Sequence, residues 1–167
     1  DSVITISSAV LLHRLEKSLE NQRAINEELK LTSTAVTRLN DIVLITQARP
    51  LDEPGPRIIF VNDAFERRTG YTREEVMGKS PRFLQGPETS RTELDRIRNA
   101  LSQWQPVRAK LVNYTKSGEP FWLELDIVPV ADNQGRITHW VSVERDITER
   151  KRAEDDIYRL AYFDVLT

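Results

Sequence analysis

The sequence predicts an α+β domain held between two helices. Three observations lead there: a long opening stretch without Gly or Pro, a pair of short apolar runs, and three alternating strands joined by turn signals. The chain has 167 residues, enough for one core plus extra helix. Apolar residues make up 39% and charged residues 30%, which sets it among folding rather than disordered sequences.

Residues 8–40 read as helix. The run HRLEKSLENQRAINEELK is rich in strong helix formers. Leu12, Leu15, Leu19, Gln22, Asn26 and Leu29 keep the three-and-four spacing of a coiled-coil seam. Residues 1–40 are therefore assigned as an N-terminal helix, which either pairs two copies or is a single amphipathic helix. The apolar opening from Val3 to Leu12 is about half the ~20 residues a membrane span needs. It reads as the apolar side of a helix or as the tail of a membrane anchor. The fragment is expected to be cytoplasmic and to be a piece of a larger protein, with membrane attachment of that parent left open.

Asp41 to Thr46 is an apolar run of strand length. Residues 48–57 hold three prolines and a glycine, so they form a loop. Ile58 to Val61 is a second strand. Asn62 caps a short helix that Gly70 stops. Thr72-Arg-Glu-Glu is a capping-box pattern. Residues 90–103 make a longer helix with Leu94, Ile97 and Leu101 on one side.

Three strands follow, each with period two. In the first, Val107, Ala109, Leu111 and Asn113 share a face. A turn at Lys116–Glu119 leads to the second, where Phe121, Leu123, Leu125 and Ile127 oppose Trp122, Glu124 and Asp126. A turn at Asp132–Gly135 leads to the third, where Ile137, His139, Val141 and Val143 oppose Thr138, Trp140, Ser142 and Glu144. Apolar side chains on both faces of that strand predict a core within and a helix or second subunit outside. From Thr148 the chain is helical again, with Ile157, Leu160 and Ala161 in a sparse stripe.

Several chemistries are excluded by composition. A formal charge of −2 gives no broad basic surface, which argues against nucleic acid as a partner. The absence of cysteine removes disulfides, thiolate catalysis and cysteine-zinc sites. With only His13 and His139, no metal site and no catalytic residue are assigned.

The stretches VNDAFERRTGYTREEVMGK, PRFLQGPETSR, RIRNAL, NYTKSGEPFW and DNQGRI, in this order, resemble a PAS domain of the light-oxygen-voltage (LOV) type over residues 41–147. The resemblance implies a five-stranded antiparallel sheet with short helices on one face, enclosing a small pocket. The DIT at 146–148 resembles the PAS ending from which a signalling helix departs. LAYFDVLT (160–167) resembles the approach to a GGDEF diguanylate cyclase domain, so residues 148–167 are assigned as a signalling helix leading into a truncated GGDEF domain. What this implies is a sensory module without enzymatic activity of its own. It would dimerise through the N-terminal helix and an apolar outer sheet face (Ile137, Val141, Val143, Val112), and relay a signal to a C-terminal cyclic-di-GMP synthesis domain. The parent would be a diguanylate cyclase, with an EAL phosphodiesterase domain left open.

In LOV domains the reactive cysteine stands just before RFLQ. That position is Pro81 here, with Ser80 before it in place of an asparagine. Proline has no thiol, so the light-driven cysteine–flavin adduct is excluded. Of the three amides that hold the flavin ring edge, Asn113 retains the first, Leu123 replaces the second and Glu144 the third. A flavin carbonyl left without a partner costs on the order of 1–3 kcal/mol. Glu144 is either a buried group facing the ring or an exposed strand end paired with Arg145 or Arg136. Arg82 and Arg98 align with the arginines that grip the FMN phosphate, and Gln85 with a ring or chain contact; the arginines could equally sit on exposed helices. An FMN or FAD site is left open but disfavoured. A flavin redox or light sensor and a ligand-free dimerisation spacer remain the alternatives. Haem is disfavoured because His139 phases outward.

Overall fold

The computed structural model describes residues 2–163, and the chain divides into two units after Arg38. The first is a single helix, α1 (Ser2–Arg38), which starts six residues before the expected position 8. The β-branched run Val3-Ile4-Thr5-Ile6 lowers helix propensity only slightly, and no Gly or Pro interrupts it. Leu12, Leu15, Leu19 and Leu29 of the seam are exposed along it. No helix among the described residues is long and apolar enough to cross a membrane.

The second unit is a five-stranded antiparallel sheet covered on one face by short helices. Its strands are β1 (Ile42–Gln47), β2 (Ile58–Val61), β3 (Val107–Tyr114), β4 (Pro120–Ala131) and β5 (Ile137–Asp146), in the spatial order β2-β1-β5-β4-β3. Between β2 and β3 come α2 (Asp63–Thr69), α3 (Arg73–Val76), a 3-10 helix (Pro81–Leu84) and α4 (Arg91–Ser102). The chain leaves through α5 (Thr148–Phe163).

The caps expected from sequence form. Asn62 is fully buried; its Oδ1 accepts from the backbone N–H of Phe65 (3.2 Å) and of Val43 (3.0 Å), and its Nδ2 donates to the Asp41 carbonyl (2.9 Å). One side chain thus starts α2 and pins it to β1. Gly70 ends α2 at φ +77°, a left-handed conformation that favours glycine. Thr72 and Glu75 complete the capping box of α3.

The core is divided in two. One cluster gathers Ile42, Leu44, Ile58, Val61, Ala64, Phe65, Val76, Leu84, Phe121 and Leu123 under α2 and α3. The other gathers Ile97, Val107, Ala109, Leu111 and Leu125 under α4. Trp140 of β5 is buried as well, donating its indole N–H to the Ala48 carbonyl (3.2 Å) and stacking on Trp104 at 5.7 Å between ring centroids. Trp104 takes the left-handed φ of +57°, uncommon for a bulky residue, with the Arg49 guanidinium 4.9 Å from its ring centroid on one side.

On the outer sheet face Val143 is exposed, and Ile137 and Val141 are half-buried. Val112 departs from the expectation: it is only 5% exposed and is no part of an open apolar surface. Its cross-strand partner is Trp122, whose ring lies 5.0 Å from Lys151 Nζ of α5, so that part of the face is already covered.

Candidate functional site

A cavity of about 480 Å³ separates the two core clusters. Its floor is the inner sheet face: Leu44 and Thr46 of β1, Leu111 and Asn113 of β3, Leu125 and Ile127 of β4, and Trp140, Ser142 and Glu144 of β5. Its roof is the 3-10 helix with Ser80 and Gln85 at either end, and the α4 residues Leu94, Ile97, Arg98 and Leu101. Leu51, Glu53 and Pro56 of the 48–57 loop close one side. Volume and mixed lining are those of a small-molecule site.

Asn113 and Glu144 bring polar chemistry to the floor. Asn113 is 7% exposed, and its side-chain amide makes no hydrogen bond with any described residue. The amide lines the cavity and is open to it, so it is available to hydrogen-bond a ligand. Glu144 is also 7% exposed, and its Oε1 accepts a hydrogen bond from Ser142 Oγ (3.0 Å). Burial pushes its carboxyl up to about 7, against the opposing effect of the Ser142 hydrogen bond. The alternative of an exposed strand end is thereby corrected. Arg145 pairs instead with Asp41, Nη2 to Oδ2 at 2.9 Å, and Arg136 with Asp132. The alternation of β5 explains this: Trp140, Ser142 and Glu144 face inward and the valines outward, so the more polar face of the strand lines the cavity.

The structure places the other candidates as follows. Pro81 opens the 3-10 helix and lines the cavity, and Ser80 Oγ just before it is buried without a hydrogen-bond partner. Gln85 stands exposed at the rim. Arg82 and Arg98 both reach the cavity mouth, where they bond Glu53, the Leu51 carbonyl and Asp52. Leu123 is not brought to the cavity: it is 1% exposed within the cluster under α2. Sequence reasoning missed Thr46, Ser142 and the acidic pair Asp52-Glu53. A two-residue step back from Glu144 finds Ser142; nothing periodic marks a pair of acids inside a proline-rich loop.

A model of the PAS domain matches residues 40–149. Among solved structures, the LOV domain from the Erythrobacter litoralis EL346 blue-light activated histidine kinase superposes with a TM-score of 0.61 and 32% identity, over 66% of this chain and 99% of that one. The chain belongs to the PAS family, and within it to the LOV type. Curated relatives agree with that placement. A blue-light-activated histidine kinase of Brucella anthropi is 45% identical over 116 residues, 69% of this chain, and phototropin-2 of Oryza sativa subsp. japonica is 38% identical over 127 residues, 76% of this chain. The chain spans only 23% and 14% of the lengths of those two relatives.

The flavin mononucleotide that the LOV type implies does not fit this lining. Position 123 faces the core and offers no amide, a carboxyl stands at 144, and both mouth arginines already hold anionic or carbonyl oxygens of the chain itself.

The end of β5 connects the cavity to the exit helix. Two residues beyond Glu144, Asp146 accepts from the backbone N–H of Thr148 (2.9 Å) and from its hydroxyl (2.5 Å), and is paired with Arg68 of α2. Burial opposes ionisation of Asp146, but these hydrogen bonds outweigh it and hold the carboxyl below its ordinary range. Ile147 is buried, its N–H bonded to the Trp122 carbonyl (2.9 Å), while Trp122 donates its own N–H to Thr148 Oγ1 (3.0 Å).

Proposed function

We propose that this chain is a sensory LOV-type module that signals without a cysteine–flavin bond. A change at the cavity floor displaces β5, and Asp146, Ile147 and Thr148 pass the displacement to α5. The observation that carries this reading is that Glu144, inside the cavity, and Asp146, holding the first residue of α5, lie two residues apart on one strand. Two copies pair through α1, whose seam leucines are exposed, and through the outer face around Val143.

The output is a C-terminal GGDEF domain that makes cyclic di-GMP. The support is the sequence LAYFDVLT at 160–167, whose first four residues are the end of α5 and whose last four lie outside the described ones. Relatives named as histidine kinases make a kinase the competing output.

Spin labels at Arg152 of the wild-type chain and of Glu144→Gln and Asp146→Ala test the relay. The expected result is a dimer whose label-to-label distance differs between wild type and both variants. A monomeric mass, or identical distances, would end it. GTP turnover by the parent chain separates the two outputs.

A further inference from the structure

At the mouth of the cavity two guanidinium groups reach for one loop. Arg82, from the 3-10 helix, donates from Nη1 to Glu53 Oε1 (2.7 Å) and from Nη2 to the Leu51 carbonyl (2.5 Å). Arg98, from α4, donates to Asp52 Oδ1. The loop is built to lie close. Gly55 has φ +92°, and a Cβ there would stand 2.6 Å from Ser80 Oγ and 3.1 Å from Arg82 Nε. Glycine alone allows that approach. A guanidinium fork accepts carboxylate and phosphate oxygens alike, so two arginines at one rim make an anion site. Here the chain's own carboxylates fill it.

We propose that Asp52 and Glu53 are the built-in occupants of an anion site formed by Arg82 and Arg98, and that the cavity selects a ligand without a phosphate group. This rests on the cavity being the sensory site. At the buried end, the amide of Asn113 and the carboxyl of Glu144 receive a hydrogen-bonding ring. At the rim, an anionic tail must first displace the loop. Asp52 and Glu53 are 83% and 87% exposed in their side chains, so the discrimination is modest. An exposed pair contributes up to roughly fivefold, and the two together about tenfold, weakening as salt rises.

Inorganic phosphate is titrated into the wild-type chain and into Asp52→Ala/Glu53→Ala at low salt, following the arginine Nε–H resonances. The expected result is affinity about tenfold tighter in the double variant. Equal affinities, or no binding in either protein, would overturn the proposal. Gly55→Ala opens the same site by pushing the loop off Ser80 and Arg82; if it fails to fold, the double alanine variant decides alone, since both positions are exposed. Flavin fluorescence then compares FMN with riboflavin, and tighter binding of FMN than of riboflavin by the wild-type chain would also sink it. The titration reads the rim alone, so it can fail while the relay from Glu144 to α5 stands, and the relay can fail while it succeeds.

Discussion

Arg68 of α2 and Asp146 at the end of β5 are joined by an ion pair across 78 residues of sequence, and the same carboxylate holds Thr148 at the start of α5. The Arg68 guanidinium also lies 4.1 Å from the Phe121 ring centroid. The Asp146 side chain therefore fixes α2, the end of β5 and the exit helix to each other.

Replacing Asp146 removes three hydrogen bonds, two of them at a helix start. Asp146→Ala is expected to cost about 1–2 kcal/mol and to raise amide exchange in the first turn of α5. Arg68→Ala removes one partly exposed pair and the contact with the Phe121 ring, and is expected to cost about 1 kcal/mol. Urea unfolding with hydrogen exchange checks the order; an Arg68 effect larger than that of Asp146 would contradict it.

Glu144 makes stability depend on pH. Its folded pKa is raised to about 7 from an ordinary 4.5, so between those values the folded state binds more protons than the unfolded state. Stability is then greatest below the unfolded value, falls as pH rises through the window, and levels off above about 7. The full loss is at most on the order of 3 kcal/mol. Glu144→Gln removes this contribution. Urea midpoints at a series of pH values should show the wild type weakening relative to the variant, and a constant difference across the window would count against it.

Gly86 is a steric requirement. A Cβ there would fall within the Tyr114 ring. Around it, the Tyr114 hydroxyl accepts from the Glu88 N–H (2.9 Å), and Thr89 Oγ1 accepts from the Gly86 N–H (2.9 Å) while donating to the Val112 carbonyl (2.6 Å). Gly86→Ala forces the turn off β3 and is expected to cost about 1–3 kcal/mol, read in thermal unfolding. A stability equal to wild type would mean that the ring moves aside freely.

Much of the fold was legible because its signals are local. Asn62, Gly70 and Thr72 mark helix ends by their own backbone demands, and the alternation in β3 and β4 marks which side is buried. The inner face of β5 was harder, since its polar residues point inward and its valines outward, and hydrophobicity alone suggests the reverse. Phase places Glu144 beside Ser142, but only tertiary packing shows that no arginine reaches it. The engagement of Arg82 and Arg98 by the 51–53 segment joins residues 29 to 46 positions apart, and no local pattern encodes it. Leu123 shares a strand face with Leu125, yet the division of the core sends the first to one cluster and the second to the cavity wall.

The helix α5 runs without a break from Thr148 to Phe163. A domain attached beyond it inherits a fixed azimuth: each residue inserted turns that domain by about 100° and advances it by about 1.5 Å. Insertions of seven residues nearly restore the original heading, whereas two or five leave it facing away. An output domain attached in this way would be addressed by angle as much as by distance, and a periodic response to linker length is the mark such a rotor would leave.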